Sequence, residues 1–177
     1  MTSPPRNRRW SSSAANTVSS GSDALAQHGT SAYAHAPKGF LMLRQSPIPD
    51  ELDAPFYAAA NEDRLVIQFC TDCDRWQYPP KHNCSACSHS TGLVWRQVSG
   101  DGTIYSFAVV HDTQIAVLRD ELPFTAAVIE LNECPGIVMV SHIHASSPGD
   151  VEIGLAVRVT FVPTVATDQK VPEWVLQ

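Results

Sequence analysis

Cys70-Thr-Asp-Cys73 and Cys84-Ser-Ala-Cys87 repeat one four-residue pattern, with ten residues between the two copies. Two cysteines spaced in this way place their thiolates on one side of a tight turn, and two such turns can surround a single ion. Four thiolates are the usual ligands of a structural Zn²⁺, with metal–sulfur bonds of about 2.3 Å. The sequence therefore predicts one structural zinc per chain, with no open position for a catalytic water.

Other uses of these cysteines fit less well. Disulfides are typical of secreted proteins, and the sequence shows no secretory signal. A redox pair needs an exposed thiol of low pKa that opens a helix in a βαβ setting, which neither pair has. His82 and His89 flank the second pair and could replace a cysteine, but four cysteines already have the required spacing.

Charge divides the 177 residues into two parts. Residues 1–44 carry five Lys or Arg and one acid, whereas the chain from Asp50 onward carries seven basic and seventeen acidic residues. We expect residues 1–46 to be a disordered extension, because a Ser-rich segment of low apolar content cannot offset its ordering entropy. Its Arg-rich start also resembles an organelle transit peptide.

A short helix is predicted ahead of the cysteines, in a leading segment at residues 47–64. Asp50 is a plausible N-cap, and the helix is expected over Glu51–Asp63, with Leu52 and Phe56 on a narrow apolar stripe and Tyr57 beside it. No apolar run approaches the length needed to cross a bilayer, so we expect a cytoplasmic protein with no membrane partner.

Residues 65–97 read as a zinc ribbon. Short strands are predicted at residues 64–69, 76–78 and 93–95, interleaved with the two cysteine turns. A module of this size does not fold without its metal.

Residues 98–177 read as all β. Alternating or apolar runs predict strands at residues 103–110, 124–131, 137–143, 151–154 and 156–162, with no convincing helix among them. We therefore expect a mainly β chain that ends in a five-stranded Greek-key barrel of the OB type.

From about Pro47 to Trp174 the chain resembles the acyl-CoA-associated OB-fold family with an N-terminal rubredoxin-like zinc ribbon, a former family of unknown function. Six stretches carry the resemblance: residues 49–57, 65–70, 76–80, 98–107, 122–124 and 153–157. The resemblance implies a non-catalytic accessory subunit that binds a thiolase-superfamily partner (a thiolase, an acyltransferase or an aldolase). In this family the accessory chain helps shape the acyl-CoA site, and the partner carries the reactive cysteine.

Two groups of residues are candidates for binding. Arg75, Lys81 and Arg96 could contact a CoA phosphate, although they could equally be solvated surface charges. Aromatic and apolar side chains anchor many interfaces, and the candidates for partner contact are Leu52, Phe56, Tyr57, Trp76 and Tyr78. The alternative for the helix is packing against its own barrel.

Three further residues could bind a metal or act as a nucleophile, but their sequence context supports neither role. His142 and His144 lie two apart on a predicted strand and share a face, but no third metal ligand is evident beside them. Cys134 has Glu133 before it and no neighbouring base or cation, which favours a passive thiol. No catalytic residue is therefore predicted.

Nucleic-acid binding is the main alternative function, because zinc ribbons and OB barrels both occur in proteins that bind nucleic acids. Such binding needs a basic groove. Residues 98–177 contain three basic side chains and ten acidic ones, and a surface of that sign repels phosphate. We therefore expect no nucleic-acid partner.

Overall fold

The structure is a computed structural model and describes residues 46–177. All but the last residue of the expected extension, residues 1–46, lie outside the described part. The described residues form one α-helix, a three-stranded sheet and a closed five-stranded barrel, which confirms the predicted fold class. The elements are α1 Ala54–Asn61, β1 Leu65–Cys70, β2 Arg75–Gln77, β3 Leu93–Val98, β4 Asp101–Val110, β5 Phe124–Leu131, β6 Val138–His144, β7 Ala156–Pro163 and β8 Lys170–Leu176.

The predicted N-cap at Asp50 is wrong: α1 begins at Ala54 with Asp53 at its N-cap, because a turn closed by Asp50 precedes the helix. Asp50 Oδ1 accepts hydrogen bonds from the backbone N–H groups of Leu52 at 2.8 Å and Asp53 at 3.1 Å. The helix buries Phe56 and two alanines against β1 and β8. At its far end, Asn61 Oδ1 accepts from the Lys170 backbone N–H at 2.9 Å. The helix therefore packs on its own chain.

The ribbon sheet has the order β2–β1–β3, with both pairs antiparallel. Its central strand is buried at all six positions, which explains why the sequence Leu-Val-Ile-Gln-Phe-Cys is almost continuously apolar. Leu65, Val66 and Ile67 belong to the same hydrophobic core as the barrel interior. The ribbon and the barrel are thus joined through a shared core as well as through the backbone.

The barrel closes in the order β4–β5–β6–β8–β7, and β7 returns to β4. Every pair is antiparallel except β6 with β8, where only Ile143 opposite Trp174 and His144 opposite Val175 are in register. This is the Greek-key arrangement expected of an OB barrel. Ile104, Ile129, Val157 and Trp174 fill the interior, each at most 1% exposed.

The barrel has five strands as predicted, but one of them differs. The predicted strand at residues 151–154 is wrong: a short 3-10 helix, Pro148–Asp150, leads into a turn there. The fifth strand is β8, which the sequence analysis missed. Its Pro172 and its lack of alternation hide the pattern, and it forms because β7 pairs with it along its length.

Two residues link the ribbon to the barrel. Strand β3 ends at Val98 and β4 begins at Asp101. Gly100 has a positive φ of 78°, and a Cβ there would overlap the Val159 side chain. The Gly100 carbonyl accepts from the Val159 N–H at 2.9 Å, and the Ser99 N–H donates to Glu133 Oε2. This joint is held by hydrogen bonds and by close packing.

Among the described residues no helix is long and apolar enough to cross a membrane.

Candidate metal centre and partner surface

The four ribbon cysteines converge on one point. Cys70 Sγ lies 3.7 Å from Cys87 Sγ, and Cys73 Sγ lies 3.5 Å from Cys84 Sγ. Tetrahedral sulfur ligands with bonds of about 2.3 Å are separated by about 3.8 Å, whereas a disulfide would bring two sulfurs to about 2.05 Å. All four ligand atoms lie within 4.8 Å of one another. The spacing fits a shared metal ion and excludes disulfides between these residues.

The two cysteine turns have the same backbone form. The residue that follows each pair adopts a positive φ, 54° at Asp74 and 65° at Ser88. In the second turn the Ser88 N–H donates to the Cys84 carbonyl at 2.9 Å. Backbone N–H groups of Cys87 and Ala86 point at Cys84 Sγ, and they lower the pKa of that thiol to about 6. These two donors therefore favour the thiolate of Cys84, which is the form that binds a metal.

Two buried glutamines, Gln68 and Gln77, brace the second turn. Gln77 Nε2 donates to Gln68 Oε1 at 2.6 Å, and the Lys81 N–H donates to the same oxygen at 2.9 Å. Gln77 Oε1 accepts from the Ser85 N–H at 2.7 Å, next to the ligand Cys84. This support was not predicted from the sequence. A glutamine inside an otherwise apolar strand, as in Leu-Val-Ile-Gln-Phe, was the available signal.

The flanking histidines do not complete the ligand set. His89 Nδ1 lies 3.1 Å from Asp72 Oδ2, and both side chains are exposed. His82 is exposed as well. The ligand set supported by the structure is therefore four cysteines.

The three candidate phosphate-binding residues are not brought together. Arg75 is opposite Cys70 and Arg96 is opposite Ile67, three residues apart along β1, so their side chains leave opposite faces of the sheet. The Arg96 guanidinium stacks 3.7 Å from the centre of the Phe69 ring. Lys81 is exposed in the loop after β2. Arg75 and Lys81 remain available for an anionic group.

Four of the five candidate interface residues line one groove of about 250 Å³ at the start of α1. Leu52, Phe56, Tyr57 and Tyr78 form its walls together with two prolines and the acids Asp50 and Asp53. Phe56 itself is only 6% exposed and belongs to the chain's own core, as the alternative interpretation expected. Trp76 lies elsewhere, edge-on to Phe69 with ring centres 4.9 Å apart. Tyr57, Tyr78 and Leu52 are the accessible members.

Cys134 lies outside the metal set, fully buried in the turn after β5. Burial raises the pKa of this thiol to about 12, and the neighbouring Glu133 contributes. A buried thiol with a raised pKa is a poor nucleophile.

Two family models match adjacent parts of the chain. The ChsH2 rubredoxin-like zinc ribbon domain matches residues 58–94, and the ChsH2 C-terminal OB-fold domain matches residues 95–162. Together they cover more than half of the chain. The chain belongs to the ChsH2 family. The resemblance predicted from the sequence is thereby confirmed, as are the ribbon and the OB-type barrel.

Relatives in this family have different names and lengths. The chain is 32% identical over 122 residues to a probable enoyl-CoA hydratase alpha subunit of Thermomonospora curvata, matching 68% of this chain but 36% of that protein. It is 30% identical over 97 residues to a DUF35 domain-containing scaffold protein of Methanocaldococcus jannaschii, matching 55% of this chain and 67% of that one. The chain thus spans about a third of the hydratase subunit's length.

A solved structure described as the Ltp2-ChsH2(DUF35) aldolase has the same fold. Its matching chain is 27% identical, with a TM-score of 0.65, and the match covers 74% of this chain and 98% of that chain. The matched fraction of this chain is close to the fraction that the structure describes, residues 46–177.

Proposed function

We propose that this chain is a non-catalytic accessory subunit that binds a thiolase-superfamily partner in a hetero-oligomer and helps shape the partner's acyl-CoA site. The observation that carries this proposal is the match to almost the entire length of the corresponding chain of the Ltp2-ChsH2 aldolase. Names such as hydratase alpha subunit and scaffold protein among the relatives support a role within a complex.

One Zn²⁺ per chain, held by Cys70, Cys73, Cys84 and Cys87, would have a structural role. All four positions are occupied by sulfur, so no site remains for water or substrate. The ion would fix the two turns that flank β2, and the groove at Tyr78 lies directly after that strand. In this proposal the metal shapes the surface that the partner contacts.

The charge distribution suggests which parts of the acyl-CoA substrate contact this chain and which contact the partner. The barrel segment has ten acids and three bases, which makes it a poor host for the phosphates of CoA. The CoA head group would lie on the partner or near Arg75 and Lys81, and only the acyl end would approach the barrel. The buried Cys134 would not react, so the nucleophile would belong to the partner.

Nucleic-acid binding gains no support from the described barrel. Two of its three bases are already paired: Arg158 Nε lies 2.8 Å from Asp101 Oδ1, and Lys170 Nζ lies 2.6 Å from Asp63 Oδ1. Few cations remain to release counterions from a phosphate backbone.

Affinity purification of the tagged full chain from its native cells tests the proposal, followed by acyl-CoA turnover assays of the chain alone and of the complex. We expect a thiolase-superfamily chain to co-purify and turnover to require it. A Tyr57→Ala, Tyr78→Ala double variant should weaken the complex, whereas Tyr105→Ala, at a 64% exposed tyrosine on the barrel, serves as the matched control. Turnover of acyl-CoA by the isolated chain would overturn the proposal.

A further inference from the structure

Two histidines on one strand and a glutamate about thirty residues further along the chain meet on the outer face of the barrel. His142 and His144 lie on β6, and Glu173 lies on β8. Ile143 and Trp174 are opposite each other and point into the core, so the residues on either side of them point outward. Glu173 is the third candidate ligand that the sequence did not reveal beside the two histidines.

The ligand atoms of these three residues are close enough to share one ion. Glu173 Oε2 lies 3.5 Å from His142 Nδ1 and 2.5 Å from His144 Nε2. All three atoms lie within 4.8 Å of one another, and the two imidazole rings are 4.7 Å apart and nearly perpendicular. Ligands of a tetrahedral zinc with bonds of about 2.0–2.2 Å are separated by about 3.4 Å. One pair already has this spacing, and the other, at 2.5 Å, would have to separate by about 1 Å when an ion binds.

Burial favours a cation at this position. Glu173 is 2% exposed although it lies on the outer face, and the histidine side chains are 13% and 15% exposed. A carboxylate removed from water is stabilised by a neighbouring positive charge, which a protonated histidine of this cluster or a bound cation can supply. A divalent ion would supply that charge while binding one lone pair of each neutral imidazole.

We propose that His142, His144 and Glu173 form a second metal site, for a divalent transition metal such as Zn²⁺, which is independent of the ribbon site. Two imidazoles and a carboxylate are a ligand set for zinc and for other first-row metals. The site leaves a fourth coordination position for water or a small anion.

The position of the site gives it a structural consequence. Strands β6 and β8 form the parallel closure of the barrel, and their register consists of only two residue pairs. A metal bound by both strands would fasten this short ladder. A second cluster of possible ligands, Asp72, Cys87 and His89, shares Cys87 with the ribbon and is therefore not an independent site.

The test is metal stoichiometry of the full chain. The protein is equilibrated with a small excess of Zn²⁺, desalted without chelator and assayed for zinc per chain. We expect two zinc ions per wild-type chain, one per chain in a His142→Ala, His144→Ala double variant, and a second-site affinity more than about 100-fold weaker in Glu173→Gln. The matched control is a His82→Ala, His89→Ala double variant, which should retain two.

A readout on the wild-type chain does not depend on the folding of any variant. Thermal unfolding of protein that already holds one zinc should shift upward when Zn²⁺ is added, because the ion binds only the native site. A single zinc per wild-type chain together with no thermal shift would show that the three residues form only a hydrogen-bonded cluster. Retention of two zinc ions by the His142→Ala, His144→Ala variant would also overturn the proposal.

Discussion

The ribbon and the barrel are both built of short strands, but their stability has different sources. In the barrel, large aliphatic side chains and Trp174 fill a closed interior. Beyond β1, the ribbon has little apolar interior, and its two turns converge on four sulfur atoms instead. One chain thus combines a region built around an apolar interior with a region arranged around four possible metal ligands, and one strand belongs to both. Strand β1 is that strand.

Loss of a metal ligand should produce the largest difference between the two regions. Cys70→Ser removes a buried thiolate from the set, and structural zinc contributes about 10–16 kcal/mol in isolated zinc-finger peptides. We expect the ribbon zinc to be lost and residues 71–92 to lose amide-exchange protection, while β4–β8 stay protected. Elemental analysis and hydrogen–deuterium exchange measure both effects.

Cys134→Ser is the matched control for that change. It replaces another fully buried thiol, but one that lies outside the metal set. Zinc content should not change. Uniform loss of protection across ribbon and barrel in Cys70→Ser would show that the two regions unfold as one unit.

A cavity in the barrel core should destabilise the barrel and leave the ribbon metal in place. Ile129 is fully buried, and Ile129→Ala should lower the free energy of unfolding by about 2–5 kcal/mol through lost burial and an unfilled cavity. Zinc content should stay at the wild-type value. Denaturant unfolding measures the effect, with Val140→Ala, at a 76% exposed position on the next strand, as the control. An equal loss in both variants would contradict the assignment of the core.

The buried glutamines allow a smaller test within the ribbon. Gln77→Ala removes the donor to Gln68 and the acceptor for the Ser85 N–H, which should cost about 1–3 kcal/mol. Because Ser85 follows a ligand, zinc should also leave faster, and chelator competition measures that rate. Gln97→Ala, at an exposed position on β3, is the control. An unchanged rate in Gln77→Ala would mean that the metal alone fixes the turn.

The smallest effect should come from an exposed ion pair on the barrel. Hydrogen bonding to Arg158 lowers the pKa of Asp101 below its ordinary value of 3.8. The pair therefore stabilises the fold above pH 3.8, and this contribution is lost as the pH falls through the lowered pKa. In Arg158→Gln, NMR titration should show the pKa of Asp101 move upward, whereas Arg119→Gln should leave it unchanged.

Local patterns predicted the parts of the fold that depend on local physics. The Cys-x-x-Cys turns and the alternating strands each have a signal within a few residues. Strand β8 has none, because Pro172 interrupts it and only its long-range pairing with β7 defines it. The same topology brings Glu173 to His142 across about thirty residues, so the sequence could not have supplied this third ligand.

The candidate binding residues were predicted less completely, for a similar reason. A helix with a narrow apolar stripe packs against another surface, but its sequence does not show whether that surface belongs to the same chain or to a partner. The structure places Phe56 in the core of this chain and leaves Tyr57 beside the groove. Arg75 and Arg96 both belong to the ribbon segment. Only the strand register shows that their side chains leave opposite faces of the sheet.

The short joint at Ser99 and Gly100 has a consequence for the thermodynamics of recognition. Two domains joined by a flexible linker lose orientational freedom when one partner binds both of them, and that loss lowers the affinity for the partner. Here the link is two residues long and is hydrogen-bonded on both sides, and the glycine packs against Val159. A protein that contacts the ribbon and the barrel together therefore meets a surface whose spacing is already set, and little entropy is lost in arranging it.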